Sequence, residues 1–213
     1  MNIDHSISPA RPNDQPGRVA ETLARAFQDD PALSWIIPDP ARRRKVLPRF
    51  FAVMAEQSHR HGEVLVSGAD EDSGKGEGSG KGEAAALWYP PGHVRDGMLD
   101  SMRDNLRMVG VFGTSLPRGL KVAEAMYARH PDPQTYTYLR YVGVKPDAQG
   151  KGWGGAIIRA GIERAAAHGT GVLLETATPA NVAIYTRLGF EISEEWNAPD
   201  GGPKFWTMIR PAD

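Results

Sequence analysis

The stretch from 139 to 155 constrains this chain most, because an apolar strand runs there directly into a glycine-dense turn that opens a helix. Residues 135–144 predict the strand. Glycines at 150, 152, 154 and 155 let successive backbone N–H groups approach an anion without interference from a Cβ, and the helix beyond aims the positive end of its dipole at the same point. Ile158, Ile162 and Ala165 give that helix an apolar face, Ala156 and Ala160 let it pack closely on a sheet, and His168-Gly169 supplies its stop. The construction predicts a cradle for a phosphorylated ligand, above all a diphosphate.

Composition limits what such a cradle serves. A chain of 213 residues with 40% hydrophobic content is long enough for one well-buried core, so 1–213 reads as a single domain. Lysine plus arginine total 25 against 26 acidic residues, a net charge of -1, so no overall field recruits nucleic acid or anionic lipid. The expected target is a small molecule, met by a monomer or a homodimer. Cysteine is absent, which removes disulfides, thiolate metal sites and a cysteine nucleophile together. The first residues show no basic-then-apolar leader and no apolar run approaches the roughly eighteen residues of a membrane span, so the cytoplasm is the expected location. His59 and His61 have no other good ligands in their neighbourhood, and no metal is expected.

The remaining elements predict a mixed α/β order. Residues 7–11 read as a short first strand, followed by a helix carrying Val19, Leu23 and Phe27 at four-residue spacing. The apolar cluster 33–37 lies between prolines, too short to stand alone, and either lines a cleft or packs under a loop. A helix over 41–60 presents Val46, Phe50, Val53 and Met54, with Pro48 either kinking it or marking its first turn. The basic run 42–45 reads as a solvated helix face. Residues 63–67 and 84–89 are two strands of a hairpin whose inflated tip, 68–83, repeats Ser-Gly-Lys-Gly-Glu and has nothing apolar to bury. It is no P-loop, since Lys75 and Gly82 stand where a glycine and a hydroxyl residue are required. Two helices follow, one with Met98, Met102 and Leu106 on its core face, the other with Leu120, Ala123 and Tyr127. A buried strand over 171–176, a short helix over 182–188 closed by Gly189, and strands over 190–194 and 205–209 complete the chain.

Two ligand classes fit the glycine turn. Gly150-x-Gly152-x-x-Gly155 satisfies a dinucleotide fingerprint, with Glu175 about twenty residues on, but only about sixty residues follow Gly150, too few for further complete βαβ units. A turn that binds nothing would seldom need four glycines at a helix start, given their entropic cost. Read instead as Gln149-x-x-Gly152-x-Gly154 after Val142-Gly143-Val144-x-Pro146, the segment resembles the acetyl-coenzyme A binding motif of the GNAT N-acetyltransferase superfamily. Residues 174–190, with Leu174-Glu175-Thr176, Pro179, Asn181, Tyr185 and Arg187-Leu188-Gly189-Phe190, extend the resemblance, and with 202–210 they look most like the puromycin N-acetyltransferase-like members. The strong resemblance covers roughly the last seventy-five residues. The chain departs from those members in the hairpin tip and between 92 and 130, where such enzymes shape the acceptor pocket.

The resemblance implies a fold, a donor and an acceptor class. The fold would be a mixed, mostly antiparallel sheet flanked by helices and splayed between its fourth and fifth strands. The donor would be acetyl-CoA, and the acceptor a primary amine on a small molecule, a puromycin-like antibiotic being one candidate, acetylated by direct attack in a ternary complex. The rivals are a noncatalytic acyl-CoA sensor and, further off, a dinucleotide oxidoreductase. The segment Val142, Gly143 and Val144 would meet pantetheine, and the amides of Gln149, Gly150, Lys151, Gly152, Trp153 and Gly154 would hold the diphosphate.

Acetyl transfer needs a neutral amine, a held oxyanion and a proton for the departing thiolate. Tyr185 stands one helical turn beyond Asn181, and a phenol stays protonated at neutral pH, which makes it the candidate acid; packing against the sheet is its plain alternative. Asn181 either caps its helix or touches the cofactor. Glu175, at a strand exit, is the candidate base, or else orients the acceptor or forms an ion pair. Lys151 adds charge to the diphosphate site or faces solvent.

Overall fold

The computed structural model describes residues 5–10, 16–68, 82–93, 102–132 and 134–212. Two Asp-Pro pairs act as helix starts. Asp30 caps α2 (Pro31–Ile36), accepting from Leu33 N–H at 2.9 Å, and Asp39 caps α3 (Pro40–His61), accepting from Ala41 N–H at 2.9 Å. Each places proline at the first helical position, where no donor is lost. The 33–37 cluster is therefore a short helix, with Leu33 and Ile36 turned inward. Pro48 lies inside α3, which runs through it. Ahead of these stands α1 (Pro16–Ala26).

The described residues form one seven-stranded sheet in the order β1 (Ile7–Pro9), β2 (Glu63–Ser67), β3 (Ala84–Tyr89), β4 (Tyr136–Val144), β5 (Gly171–Thr176), β7 (Lys204–Arg210) and β6 (Glu191–Asn197). All neighbours pair antiparallel except β4 and β5, which run parallel. That connection is made by α6 (Trp153–Ala167), as a parallel pair requires a crossover. One face of the sheet carries α1 and α3, with α2, α4 (Met102–Phe112) and α5 (Leu116–Tyr127) beyond them; the other carries α6 and α7 (Pro179–Thr186). The expected fold class is the observed one. Among the described residues no helix is long and apolar enough to cross a membrane.

Three expectations are corrected by packing. Met102 and Leu106 are 78% and 67% exposed, so they do not form the core face of α4, and Leu120 of α5 is exposed as well. The inward side of α4 joins apolar contacts of Met108, Val111 and Phe112 to ionic ones: Asp104 is buried against Arg60, and Arg107 grips Glu56 of α3 with Nη1 and Nη2 at 2.5 and 3.0 Å. The basic run at 42–45 is not a uniform solvated face. Arg43 is buried and donates to the carbonyls of Gln28 and Ile37 at 2.6 and 2.7 Å, while Arg42 donates to Phe112 O at 2.5 Å. Strand β1 ends at Pro9, and Met98, Arg11 and residues 69–81 of the hairpin tip lie outside the described residues. The final strand pair runs a few residues longer than its pattern predicted, to Asn197 and Arg210.

Close approach of α6 to the sheet depends on one glycine. A Cβ at Gly161 would stand 2.0 Å from Cζ2 of Trp88, a buried indole on β3. Gly161→Ala is expected to destabilise the protein by about 1–3 kcal/mol through overpacking. Urea unfolding of the variant checks this, and an unchanged midpoint would mean that α6 does not rest on Trp88 as described.

Candidate active site

Strands β4 and β5 pair only at Tyr136↔Gly171, Thr137↔Val172 and Tyr138↔Leu173. Past that point they part: β4 stays on β3 as far as Val144↔Ala84, and β5 stays on β7 as far as Thr176↔Trp206. The edge of β4 that faces the gap follows from parity. Lys145 N–H donates to Glu83 O of the β3 side at 2.8 Å, so with a period of two the N–H groups of Gly143 point the same way and those of Val142 and Val144 point into the gap. The side chain of Gln149 agrees, since its Nε2 donates at 3.2 Å to the gap-facing carbonyl of Val144.

The glycine turn sits at the top of this gap. Gly150 and Gly152 have φ of +73° and +90°, the left-handed region that admits glycine at little cost. Gly152 is the N-cap of α6, and the first helical bond is Ala156 N–H to Gly152 O at 3.0 Å. Among the described residues no acceptor meets the amides of 150–155, which therefore face outward at a positive helix end. The Lys151 ammonium is turned back onto Asp147 O at 2.9 Å, and the Trp153 indole is buried beneath the turn, edge to ring with His5 at 4.7 Å. His5 also meets Lys151 O, at 2.6 Å through Nε2. Gly143 has a packing role instead of a ligand-facing one. A Cβ there would stand 2.7 Å from the Ala26 Cβ, so its bareness lets α1 lie on β4.

A cavity of about 180 Å³ reaches from the gap to the helices of the opposite face. Its apolar wall includes Phe27, Leu33, Ile36, Phe50, Met108 and Phe112; its polar lining includes Asp30, Arg140, Glu175, Asn181 and Tyr185. Tyr185 is 6% exposed, with its ring 5.8 Å from that of Phe190, and it lies on the α6–α7 side. Burial, then the negative charge of Asp30, push its hydroxyl well above the ordinary tyrosine range. Asn181 is not the cap of α7: that position belongs to Thr178, and Asn181 Nδ2 donates to Thr176 Oγ1 at 3.4 Å. The Glu175 side chain is 1% exposed and lies on the other side of the sheet from Tyr185, its Oε1 2.5 Å from Nε2 of His130. Of the site residues predicted from sequence, Val142, Glu175, Asn181 and Tyr185 line the cavity and Gln149 reaches the Val144 carbonyl at the gap, whereas Gly143 and the side chains of Lys151 and Trp153 face elsewhere.

Sequence reasoning missed Asp30, His130 and Arg140. Nothing around Asp30 in the sequence marks it for a cavity, and His130 had no signal, since Glu175 lies 45 positions away. Arg140 had one: it is a lone charge within an apolar strand. It occupies the irregular position of the β3–β4 pairing, where Leu87 opposes Tyr141 and Trp88 opposes Leu139. This extra residue reverses the alternation of β4, so that Tyr138 and Tyr141 share one face while Leu139, Val142 and Val144 share the other.

A parallel strand pair that parts beside a glycine-capped helix, with a cavity reaching through the sheet, thus frames the candidate site. Residues 118–192 match the family described as acetyltransferase (GNAT) domain. A structure from Corynebacterium glutamicum, described as histone acetyltransferase HPA2 and related acetyltransferase, superimposes with a TM-score of 0.72 at 25% identity, covering 99% of this chain and 98% of that one. Arylalkylamine N-acetyltransferase 2 of Aedes aegypti shares the fold with a TM-score of 0.65 at 13% identity, covering 99% of this chain and 100% of that one. An L-methionine sulfoximine/L-methionine sulfone acetyltransferase of Pseudomonas aeruginosa is 42% identical over 65 residues, 29% of this chain and 37% of the relative's length. The family match thus lies on residues 118–192, which hold β4, α6, β5 and α7, and the described fold as a whole resembles these acetyltransferase structures.

The turn yields a test of its local geometry. Gly150→Ala meets no neighbour and is expected to cost only the roughly 1–2 kcal/mol of a left-handed alanine, whereas Gly152→Ala, whose Cβ would stand 2.9 Å from His5 Nε2, is expected to cost more. Combining it with His5→Ala should remove the excess, as read from denaturant midpoints.

Proposed function

We propose that this protein is an N-acetyltransferase that moves the acetyl group of acetyl-CoA to a primary amine of a small molecule by direct attack in a ternary complex. The observation that carries this reading is the parting of β4 from β5 beneath a run of unsatisfied amides at the start of α6. The amides of 150–154 and the α6 dipole suit a diphosphate, and the gap-facing N–H groups of Val142 and Val144 suit the carbonyls of pantetheine. Bound there, acetyl-CoA supplies an activated acyl carbon. The chain's own groups do the rest. The amine nitrogen attacks that carbon, the new C–N bond forms as the C–S bond breaks, and a gap-facing amide of β4 holds the oxyanion. Glu175 takes the proton lost by the amine, directly or through water, while His130, which does not line the cavity, orients it from behind. Tyr185, kept protonated by burial, gives its proton to the departing sulfur. Acceptor and donor thus enter from opposite faces. The Pseudomonas relative is named for an amine-bearing substrate, which is compatible with a small acceptor, and a puromycin-like amine is a first acceptor to try.

Thiol release from acetyl-CoA, measured against a panel of amines, tests the reading. Binding of acetyl-CoA without turnover on any amine would favour a noncatalytic sensor. Tyr185→Phe is expected to lower kcat by about 100-fold with little change in acceptor KM, as loss of a general acid does. Glu175→Gln and His130→Ala are each expected to lower kcat/KM, and the double variant to fall little below the Glu175→Gln single, because His130 acts through that carboxylate. Additive losses would mean that the two groups work separately.

A further inference from the structure

Arg140 and Glu175 hold corresponding places on the two lips of the gap. Each lies two residues beyond the last paired couple, Tyr138↔Leu173, and each lines the cavity. Glu175 shares the face of Leu173 by strand parity, and the irregular position brings Arg140 toward the face of Tyr138 and Tyr141, with its guanidinium 5.3 Å from the Tyr89 ring centre and 6.0 Å from that of Tyr141. Among the described residues no carboxylate lies within 4.0 Å of Arg140, and its Nη1 is buried without a hydrogen-bond partner. Three more buried polar atoms lack partners close by: Tyr89 Oη, Glu175 Oε2 and His130 Nδ1. They form one connected group, since His130 touches Glu175 and packs 5.0 Å from the Tyr138 ring, which lies in one cluster with Tyr89.

A buried guanidinium without an anion is costly, and a buried carboxylate with a spare oxygen is so too. Direct pairing would satisfy both, yet the gap holds them apart. We infer that the acceptor is itself zwitterionic, an amino acid with an apolar side chain, whose carboxylate is bound by Arg140 while its amine is presented to Glu175. The amine and the carboxylate of such a molecule are separated by few bonds, as the two lips of a parting strand pair require. The apolar wall of Phe27, Leu33, Ile36 and Phe50 takes the side chain. This rests on the proposed function and narrows its acceptor class; Arg140 is the specificity-determining residue.

The test compares L-phenylalanine with L-phenylalaninamide, which keeps the amine and the ring and lacks the charge, in the full-length protein. Acetylation rates and calorimetric binding in the presence of CoA are measured for both. The acid is expected to be preferred by about 100-fold in kcat/KM, since a site built for a polar group rejects an analogue lacking it. Arg140→Gln is expected to abolish the preference mainly by raising KM for the acid, and Arg140→Lys to restore part of it. The wild-type comparison stands even where a variant fails to fold. Acid and amide used within about threefold of each other, binding of neither, or a preference that survives in Arg140→Gln overturns the inference. Acetyl-CoA binding is measured in the same preparation, and its absence would overturn the proposed function instead.

Discussion

A backbone ladder that stops early governs this molecule. Strands β4 and β5 exchange partners only as far as Tyr138↔Leu173, and every peptide beyond that couple on the facing edges must find another acceptor or donor. Left buried and unpaired, each such group costs on the order of 1–3 kcal/mol. The strands are kept apart because each is committed elsewhere, β4 to β3 and β5 to β7. One gap-facing carbonyl, that of Val144, is relieved by the Gln149 side chain. The glycine turn above adds further unsatisfied donors, so that the proposed acetyl-CoA, with carbonyls along its pantetheine and a diphosphate beyond, would complete the sheet.

The single irregular residue in β4 then decides which chemistry lies on which side. Without it, Tyr141 and Leu139 would share a face by simple alternation. With it, the tyrosines turn toward α1–α5 and the valines toward α6. Tyr185 approaches the gap from the α6–α7 side, buried among apolar neighbours that hold its proton, while Glu175 and His130 stand on the other. In the proposed mechanism the acid and the base are therefore kept on opposite faces of the sheet, each in its own surroundings.

The sequence carried the local parts of this arrangement well. The strand, turn and helix from 135 to 167 were legible because each is encoded within a few residues: alternation, positive-φ glycines, a stop at His168-Gly169. The splay itself came through resemblance. What stayed hidden is non-local. The His130–Glu175 pair joins a loop to a strand across 45 positions, and no periodicity announces it. The face of α4 was misread because Met102 and Leu106 fit a core pattern, whereas Met108, Val111 and Phe112, with the ion pairs to Glu56 and Arg60, turn the helix the other way. Gly143 looked like part of a ligand motif, although what it admits is Ala26.

At the far side of the sheet, β6 has one neighbour among the described residues and is exposed along most of its length. Its sequence, Glu-Ile-Ser-Glu-Glu-Trp-Asn, sets three carboxylates on that border, two of them tethered to Arg129 and Lys204. Two copies brought together rim to rim would crowd like charges along the shared seam. The border thus deters fibre-like self-association through strand addition, and leaves the seam to water.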